Sequence, residues 1–222
     1  HRDLHYPLRR QRQMCIRDRL DIFQDVLAYV VLLIALLLFH AAFTYSLFLK
    51  FVGGLNPLIF YRKMKDVALF AFSTSSSAAT IPVTLRTVNQ DLGVNQNVAS
   101  FVVPVGATIN MDGTAIMQGL ATVFIAQMSG IDLTLFQYIQ VVLLAVATSI
   151  GTAAVPSAGT ITLIIILQQF NLPLEAIGII LAVDRVLDMI RTSVNVTGDA
   201  AIACIVAKTE NQFNENIFNS KA

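Results

Sequence analysis

Long apolar runs alternate with short polar interruptions along the chain, and the lengths of these runs predict its helices. Residues 20–52 include more than 20 almost wholly apolar residues, enough for a helix to cross a hydrocarbon core about 30 Å thick. Residues 96–129 and 174–209 are long enough for two further transmembrane helices, although polar residues interrupt the first and line one face of the second. The pattern therefore predicts an all-α membrane protein.

Two segments between these spans, residues 56–92 and 133–170, each consist of two apolar arms too short to cross a bilayer. The arms of the first flank a serine-rich run at 73–80, and those of the second flank small residues at 151–159. Non-helical backbone at membrane depth is tolerated only where it is buried in protein or lines a cavity. We therefore expect two re-entrant helical hairpins, with a flexible linker as the alternative for the serine run.

The order of the elements suggests internal symmetry. A hairpin followed by an interrupted or polar span occurs twice after residue 56, as in transporters built from inverted repeats around a midplane site. Lysine and arginine concentrate at the turns on one side, whereas the turns at 129–134 and 171–175 hold neither. By the positive-inside rule, the first hairpin opens from the cytoplasm and the second from outside. We expect a multi-pass protein of the plasma (inner) membrane.

One helical face between residues 182 and 199 concentrates charge inside an apolar sequence. At 100° per residue, six polar side chains fall within a sector about 100° wide. They are Asp184, Asp188, Arg191, Thr192, Asn195 and Asp199. A charge that faces lipid costs about 2.5–3.5 kcal/mol, so this face should line protein or a water-filled cavity. The face predicts a solute or ion site, and a structural salt bridge of Arg191 is the alternative.

The interruption of the 96–129 span has chemistry suited to a cation. Asn110, Asp112 and Thr114 are two residues apart, so on a regular helix the first two side chains would point about 200° apart. Locally unwound backbone would let carbonyls and both side chains converge on one ion, and oxygen ligands suit a hard ion such as sodium. The alternative is a surface loop. We assign no role to His40, because a lone histidine on an apolar helix usually packs or lies at an interface.

Composition supports the membrane assignment. Of the 222 residues, 55% are hydrophobic and 13% are charged, and the mean hydropathy is +0.68, whereas soluble domains carry about 25% charged residues. The two cysteines, Cys15 and Cys204, have no ligand-like spacing.

The two ends of the chain differ from the rest. Residues 1–19 hold six of the 15 basic residues, and their run MCIRDR resembles translated sequencing-adapter sequence. We therefore predict that residues 1–19 are non-native or disordered, with a natural cytoplasmic basic arm as the alternative. Residues 210–222 are predicted to be a disordered tail.

Four motifs resemble those of the dicarboxylate/amino acid:cation symporters, a family that includes sodium-coupled glutamate and aspartate transporters. They are FSTSSSAATIP (72–82), PVGATINMDGT (104–114), SIGTAAVPSAG (149–159) and DRVLDMIRTSVNVTGD (184–199). The resemblance extends over about residues 21–210 and corresponds to the C-terminal half of the family's chain. It implies part of the family's transport domain, with transmembrane helices and two re-entrant hairpins in inverted repeat.

The resemblance also implies binding residues. In the family, the position of Arg191 holds the acidic side chain of the substrate, and that of Asp188 holds its α-amino group. Further substrate contacts are implied for Ser76, Ser77, Thr114, Val155, Gly159, Asp184, Thr192 and Asn195. Sodium sites are implied at Gly106, Asn110, Asn195 and Asp199, at Thr108, Met111, Ser149, Ile150 and Thr152, and at Asn110 with Asp112.

The implied function is secondary active symport of L-glutamate or L-aspartate with Na⁺, by an elevator-type mechanism and without enzymatic chemistry. The full-length protein would be a homotrimer in the lipid bilayer, with no nucleic-acid partner. Alternatives within the family are coupling to H⁺ in place of Na⁺ and transport of C4-dicarboxylates, neutral amino acids or cystine. Alternatives of another class are an ion channel and an intramembrane aspartyl protease that uses Asp184 and Asp188.

Two departures from the family pattern affect these expectations. Gln118 occupies the position where mammalian members have a glutamate thought to carry a proton, which favours coupling to sodium without that proton carrier. Many members have an arginine at the position of Ser75 or Met189, and this chain has none at either. Arg185, one helical turn before Met189, is the residue we expect to supply the missing charge.

Overall fold

The computed structural model describes the backbone of residues 5–220 and the side chains of residues 22–220. The described chain is helical, apart from loops and one isolated antiparallel bridge between Val94 and Phe213, which confirms the predicted all-α class. Its helices are α1 (His5–Phe39), α2 (Ser46–Phe51), α3 (Pro57–Thr74), α4 (Ser77–Gln90), α5 (Gln96–Ile109), α6 (Asp112–Met128), α7 (Leu135–Ile150), α8 (Ala158–Gln169), α9 (Ile177–Thr209) and α10 (Glu215–Asn219).

The first predicted span is nearly continuous helix. The stretch Ile22–Phe51 has a mean hydropathy of 2.7, and by length and composition it can cross a bilayer. A π-helical segment, His40–Tyr45, joins α1 to α2. Such segments add a residue to the turn and often occur at functional sites.

Each predicted hairpin consists of two helices and a short non-helical tip. Asn56 caps α3 by accepting a hydrogen bond from Leu58 N, and Pro57 occupies the first turn, where its missing N–H costs nothing. Ser75 ends α3 in the left-handed conformation, and Ser76 caps α4. In the second hairpin, Thr134 forms a capping box with Gln137 at the start of α7.

The predicted interruption lies between α5 and α6. Asn110 and Met111 have non-helical backbone angles, and α6 begins at Asp112. The sequence placed this break correctly, because two polar residues and a glycine within apolar helix are poor helix formers.

Two hydrophobic clusters share α9. One contains buried residues of α3, α4, α5 and the C-terminal half of α9, and the other contains residues of α1, α6, α8 and the N-terminal half of α9. Helix α9 therefore runs through the middle of the described fold. Its polar face lies between the two hairpins.

The expected disordered tail is wrong for residues 210–220, which are ordered. The chain reverses after α9 and forms α10, and Phe218 is buried in the first hydrophobic cluster. Because most residues of this segment are polar, its composition did not indicate that Phe218 would be buried.

The prediction for residues 1–19 stays a prediction. Helix α1 begins at His5, but the side chains up to residue 21 and all of residues 1–4 lie outside the described part of the chain.

Candidate functional site

The two hairpin tips meet the polar face of α9 and enclose a small cavity of about 20 Å³. This volume holds about one water molecule. The cavity is lined by Ser75, Ser77, Met111, Thr114, Thr152, Ala153, Ala154, Val155, Gly159, Asp188, Arg191, Thr192 and Asn195. The structure thus brings most of the predicted substrate residues to one place.

Arg191 is the central charge of the cavity, and it is almost fully buried, with 2% of its surface exposed. Its Nη2 donates to Asp188 Oδ1 at 2.6 Å, and its Nη1 donates to Asp184 Oδ1 at 3.3 Å. Thr160 of α8 also donates to Asp184 Oδ1, at 2.7 Å. Buried ions of this kind persist only with close partners, because desolvation costs several kcal/mol per charge. Asp184 therefore contacts the arginine rather than the cavity itself.

The second hairpin tip is held over the cavity by backbone contacts. Ser157 N donates to Asp188 Oδ2 at 2.9 Å, and Ser76 Oγ donates to Ala154 O at 2.8 Å. Ala78 N makes a third, longer bond to the same carbonyl, at 3.3 Å. The Ser76 hydroxyl therefore joins the two tips, whereas Ser77 is buried in the cavity wall. Val155 is 53% exposed and lies at the mouth.

Ser75 is a cavity residue that the sequence analysis did not select for binding. Its hydroxyl is buried and has no hydrogen-bond partner among the described residues. Its φ of 51° places a residue other than glycine in the left-handed region. Both features cost free energy, and costs of this kind cluster at functional sites. The signals in the sequence were its place inside the serine run and the arginine that many members of the resembled family have at this position.

Asn195 connects α9 to the start of α6. Its Oδ1 accepts a hydrogen bond from Gly113 N at 2.8 Å, and its Nδ2 donates to Thr114 Oγ1 at 3.3 Å. Thr192, one turn away, is buried in the same wall. The interrupted span and the polar face therefore build the cavity together, as predicted.

A second polar cluster lies further along α9. Asn110 Nδ2 donates to Asp199 Oδ1 at 3.0 Å, which joins the interruption to the end of the polar face. A Cβ atom on Gly106 would lie 2.7 Å from Asp199 Oδ1, so only glycine leaves space beside the carboxylate. Carbonyl, amide and carboxylate oxygens are the donors that a hard cation prefers. Within the described side chains, no group of three His, Cys, Asp or Glu residues is placed for a transition metal. The oxygens of this cluster are of the kind that a hard cation prefers, and the sodium site expected here stays a prediction.

Asp112 has partners that the sequence analysis missed. His40 Nε2 lies 3.1 Å from Asp112 Oδ2, and Tyr45 donates to the same oxygen at 3.1 Å. Tyr45 also donates to Val194 O at 3.3 Å. The π-helical segment supplies both side chains, so His40 has a polar contact after all. A contact between residues 72 positions apart leaves no local pattern in the sequence.

The remaining predicted sodium residues are only partly assembled. Met111 and Thr152 line the same cavity wall, and Ser149 is buried nearby on α7. Thr108 and Ile150 are exposed, and the Thr108 hydroxyl donates to Val105 O within its own helix. Their expected contribution would come from backbone carbonyls, and it stays a prediction.

Comparison of the sequence with known proteins identifies the family of the chain. A sequence model of the sodium:dicarboxylate symporter family matches residues 12–209, most of the chain. The chain belongs to this family. It is 42% identical over 191 residues to an excitatory amino acid transporter of Caenorhabditis elegans, covering 86% of this chain and 38% of the relative. It is 42% identical over 193 residues to human excitatory amino acid transporter 2, covering 87% and 34%.

A third relative, rat excitatory amino acid transporter 1, is 43% identical over 178 residues, which is 80% of this chain and 33% of the relative. The chain therefore spans little more than a third of the length of these curated relatives. The matched region contains both hairpins, the interruption and α9.

Gln118 is the hub of a buried network in this member of the symporter family. Its Nε2 donates to Gly159 O at 3.0 Å and to Thr162 Oγ1 at 2.8 Å, while Thr148 donates to its Oε1 at 2.8 Å. Every hydrogen-bonding position of the amide nitrogen is used. Since Thr148 is on α7 and the other two are on α8, Gln118 holds both arms of the second hairpin on α6.

Arg185 does not fill the role that we expected of it. It is exposed on α9, and among the described side chains it makes no ion pair. Residue 185 is 100° around the helix from Asp184 and 60° from Asp188, which turns it away from the cavity. The prediction that Arg185 supplies a second cavity charge is not supported, and the charged residues that line the cavity are Asp188 and Arg191.

Proposed function

We propose that this chain is the substrate- and sodium-binding part of a symporter that carries an acidic amino acid, L-glutamate or L-aspartate, with sodium. The observation that supports this most is the buried Arg191 beside Asp188 in a cavity closed by two hairpin tips. A guanidinium and a carboxylate side by side match an acidic side chain and an ammonium group, respectively. The names of the relatives agree with this assignment.

Binding requires an exchange of partners at Arg191. Its two nitrogens now contact Asp184 and Asp188, and a substrate carboxylate would take a planar, two-pronged contact with the guanidinium. Asp188 would then be available for the substrate's ammonium group. In this exchange, the acidic side chain of the substrate pairs with Arg191 and its ammonium group pairs with Asp188, and a partner of opposite charge is what a charged group needs in a site of low dielectric constant.

The second hairpin is the part that opens. A cavity of about 20 Å³ must enlarge several-fold to hold an amino acid. The tip at 151–157 is fastened over it by the bonds of Ser157 to Asp188 and of Ala154 to the first tip. Breaking these few bonds moves mostly small residues, none of which belongs to the two hydrophobic clusters.

Sodium would bind next to the substrate and shape its site. We assign one ion to Gly106, Asn110, Asn195 and Asp199, a second to Thr108, Met111, Ser149, Ile150 and Thr152, and part of a third to Asn110 and Asp112. Asn195 contacts Thr114 in the cavity wall, and Asn110 contacts Asp199, so an ion at the first site would restrain both sides of the cavity. Such shared residues give coupling between the two ligands.

The membrane arrangement is part of the same proposal. We infer that the two hairpins are re-entrant, that the two units form an inverted repeat, and that the domain moves between the faces of the plasma membrane in a homotrimer. The support is the length of the hairpin helices, 12 to 18 residues, and the Ile22–Phe51 span. An aspartyl protease is disfavoured, because Arg191 contacts both candidate aspartates and a catalytic pair must share a proton.

The experiment that tests the function is calorimetric binding of L-aspartate to the complete protein, with and without sodium. We expect saturable binding that sodium strengthens, and saturable sodium-dependent uptake into proteoliposomes. Succinate, alanine and cystine in the same assay test the other substrate classes of the family. Linear, non-saturating flux would indicate a channel instead.

Ser75 should affect binding and stability in opposite directions. We expect Ser75→Gly to weaken aspartate binding about 10- to 150-fold, the loss of one hydrogen bond to a charged group, and to raise thermal stability by about 1 kcal/mol. Ser75→Ala removes the same hydroxyl but keeps the left-handed strain, so it should weaken binding equally without the gain from relieved strain. Unchanged aspartate affinity in both variants, measured by calorimetry, would show that the hydroxyl does not reach the substrate.

Gln118→Glu should make the closing of the second hairpin depend on pH. An ionised carboxylate cannot donate to Gly159 O or Thr162, and it would repel the carbonyl oxygen at 3.0 Å. Only the protonated carboxyl group of the variant can donate a hydrogen bond. Uptake by the variant should therefore fall as pH rises from 5 to 8, whereas uptake by the wild-type protein should vary little. Gln118→Met, which has similar volume and no titratable group, should lower uptake equally at every pH. A flat pH profile for the glutamate variant would contradict this role.

A further inference from the structure

The ordered segment after α9, residues 210–220, is here named the C-terminal brace. It begins with a sharp reversal in which Asn211 adopts the left-handed conformation, with φ of 56°. Gln212 N donates to Ala207 O at 2.8 Å, and Asn211 N donates to Lys208 O at 3.4 Å. This pair of bonds is the Schellman motif, which satisfies the last carbonyls of a helix and turns the chain back. The reversal is therefore specified locally.

The brace then pairs with the loop between α4 and α5. Asn95 N donates to Gln212 O at 3.0 Å, and Asn214 N donates to Gly93 O at 2.7 Å, on either side of the bridge between Val94 and Phe213. Gly93 has φ of +80°, and a Cβ there would lie 2.4 Å from Asn214 O. A larger residue at this position is excluded by both conformation and space.

The brace also contacts α3. Lys63 Nζ donates to Asp91 O at the end of α4 and to Ile217 O in α10, each at 2.8 Å. A cation at the C-terminal ends of two helices is favoured by their dipoles. Phe218 is 1% exposed and packs in the cluster that contains Met64 and Leu92. The brace thus joins both arms of the first hairpin to the end of α9.

Within the described residues, the second hairpin has no paired segment of this kind at its base, which is held instead by Leu172, 4% exposed in the second hydrophobic cluster. The turns at 129–134 and 170–174 bond only to neighbouring residues of their own helices, as in Ile131 N to Ala126 O and Leu172 N to Leu167 O. The outer face of α7 is exposed along its length, including Leu135 and Leu143. The two hairpins are therefore fastened very differently.

We propose that the C-terminal brace fixes the base of the first hairpin to α9 throughout the working cycle, so that these elements move as one body. The contacts that support this proposal lie on the side of the fold away from the cavity. Of its two tests, only the second measures the proposed transport activity.

The first test is hydrogen–deuterium exchange of the complete protein in lipid nanodiscs. Lys63→Met and Phe218→Ala should each speed exchange about tenfold in residues 57–66 and 86–95, with no change at 151–160. Lys65→Met, an exposed lysine two positions away, is the matched control and should change neither region. Unchanged exchange in both variants would show that the brace does not hold the first hairpin. Equal acceleration in both hairpins would show that the brace contributes only to the stability of the whole fold.

The second test locks the brace covalently with Val94→Cys and Phe213→Cys. The flanking bonds make these a non-hydrogen-bonded antiparallel pair, with a Cα separation of about 4.5 Å that a disulfide can bridge. Uptake should be the same before and after oxidation. Locking the two tips with Ser76→Cys and Ala154→Cys should stop uptake until a reductant is added, which shows that the assay detects a blocked gate.

If oxidation of the 94–213 pair stops uptake reversibly, the brace opens during the cycle and the proposal is overturned. If the protein does not transport acidic amino acids, the hydrogen–deuterium exchange measurement alone still tests the role of the brace. Failure of the brace and failure of the proposed function are therefore separate results.

Discussion

Arg191→Cys should lower the affinity for L-aspartate about 30- to 1000-fold and shift the preference of the transporter to neutral amino acids. Among the side chains that the structure describes, the guanidinium is the one buried cation of the cavity, and a two-pronged contact with a carboxylate is worth about 2–4 kcal/mol. Asp188 remains in the variant and can still hold an ammonium group. Alanine and serine keep that group and lack the second carboxylate, so their uptake should rise relative to that of aspartate.

Two variants separate this specific effect from damage to the fold. Removal of Arg191 leaves Asp184 and Asp188 buried without their cation, which costs about 3–5 kcal/mol when such charges stay ionised. Arg191→Lys keeps the charge but not the planar fork, so aspartate binding should be weakened to an intermediate degree. The double variant Asp184→Asn/Arg191→Cys has one fewer buried carboxylate without a cation, so it should recover stability but not aspartate binding. Competition binding against aspartate and alanine gives the preference, and unchanged aspartate affinity in Arg191→Cys would refute the assignment.

The sequence predicted the parts of this site that follow from periodicity. Six polar residues within one sector of an apolar helix were expected to face protein or a water-filled cavity, and the structure buries all six. The break at Asn110 and Met111 was predicted for a similar reason, since two polar residues and a glycine interrupt an apolar run. Local composition was enough in both cases.

The parts that the sequence did not predict depend on contacts between distant residues. His40 contacts Asp112, 72 positions away, from the start of a π-helical segment that the sequence did not predict. Arg185 was judged from its spacing to Met189, but its angle around the helix places it outside the cavity. The brace was missed because one buried phenylalanine, Phe218, fixes a segment that is otherwise polar. Such features depend on the tertiary fold, in which one contact between distant residues can fix a conformation that the local sequence pattern does not specify.

Asp199→Asn should weaken sodium binding while leaving the substrate cavity almost unchanged. Asp199 is buried, and its partner Asn110 can equally donate to an amide oxygen, so the substitution conserves shape and one hydrogen bond. It removes the one carboxylate of the Gly106 cluster, and attraction of a cation by a buried charge amounts to a few kcal/mol at an effective dielectric constant near 20. The sodium concentration needed for half-maximal aspartate binding should therefore rise about 10- to 100-fold.

The measurement is a series of aspartate titrations at increasing sodium concentration, with choline replacing sodium at constant ionic strength. At saturating sodium, the affinity for aspartate should return to within about threefold of the wild-type value, because Arg191 and Asp188 are untouched. Asp66→Asn, the same change at an exposed position on α3, controls for loss of charge in general. If Asp199→Asn shows the wild-type dependence on sodium, the cluster of Gly106, Asn110 and Asp199 is structural. The coupling would then have to come from the cavity wall at Met111 and Thr152, where both tips and the interruption meet.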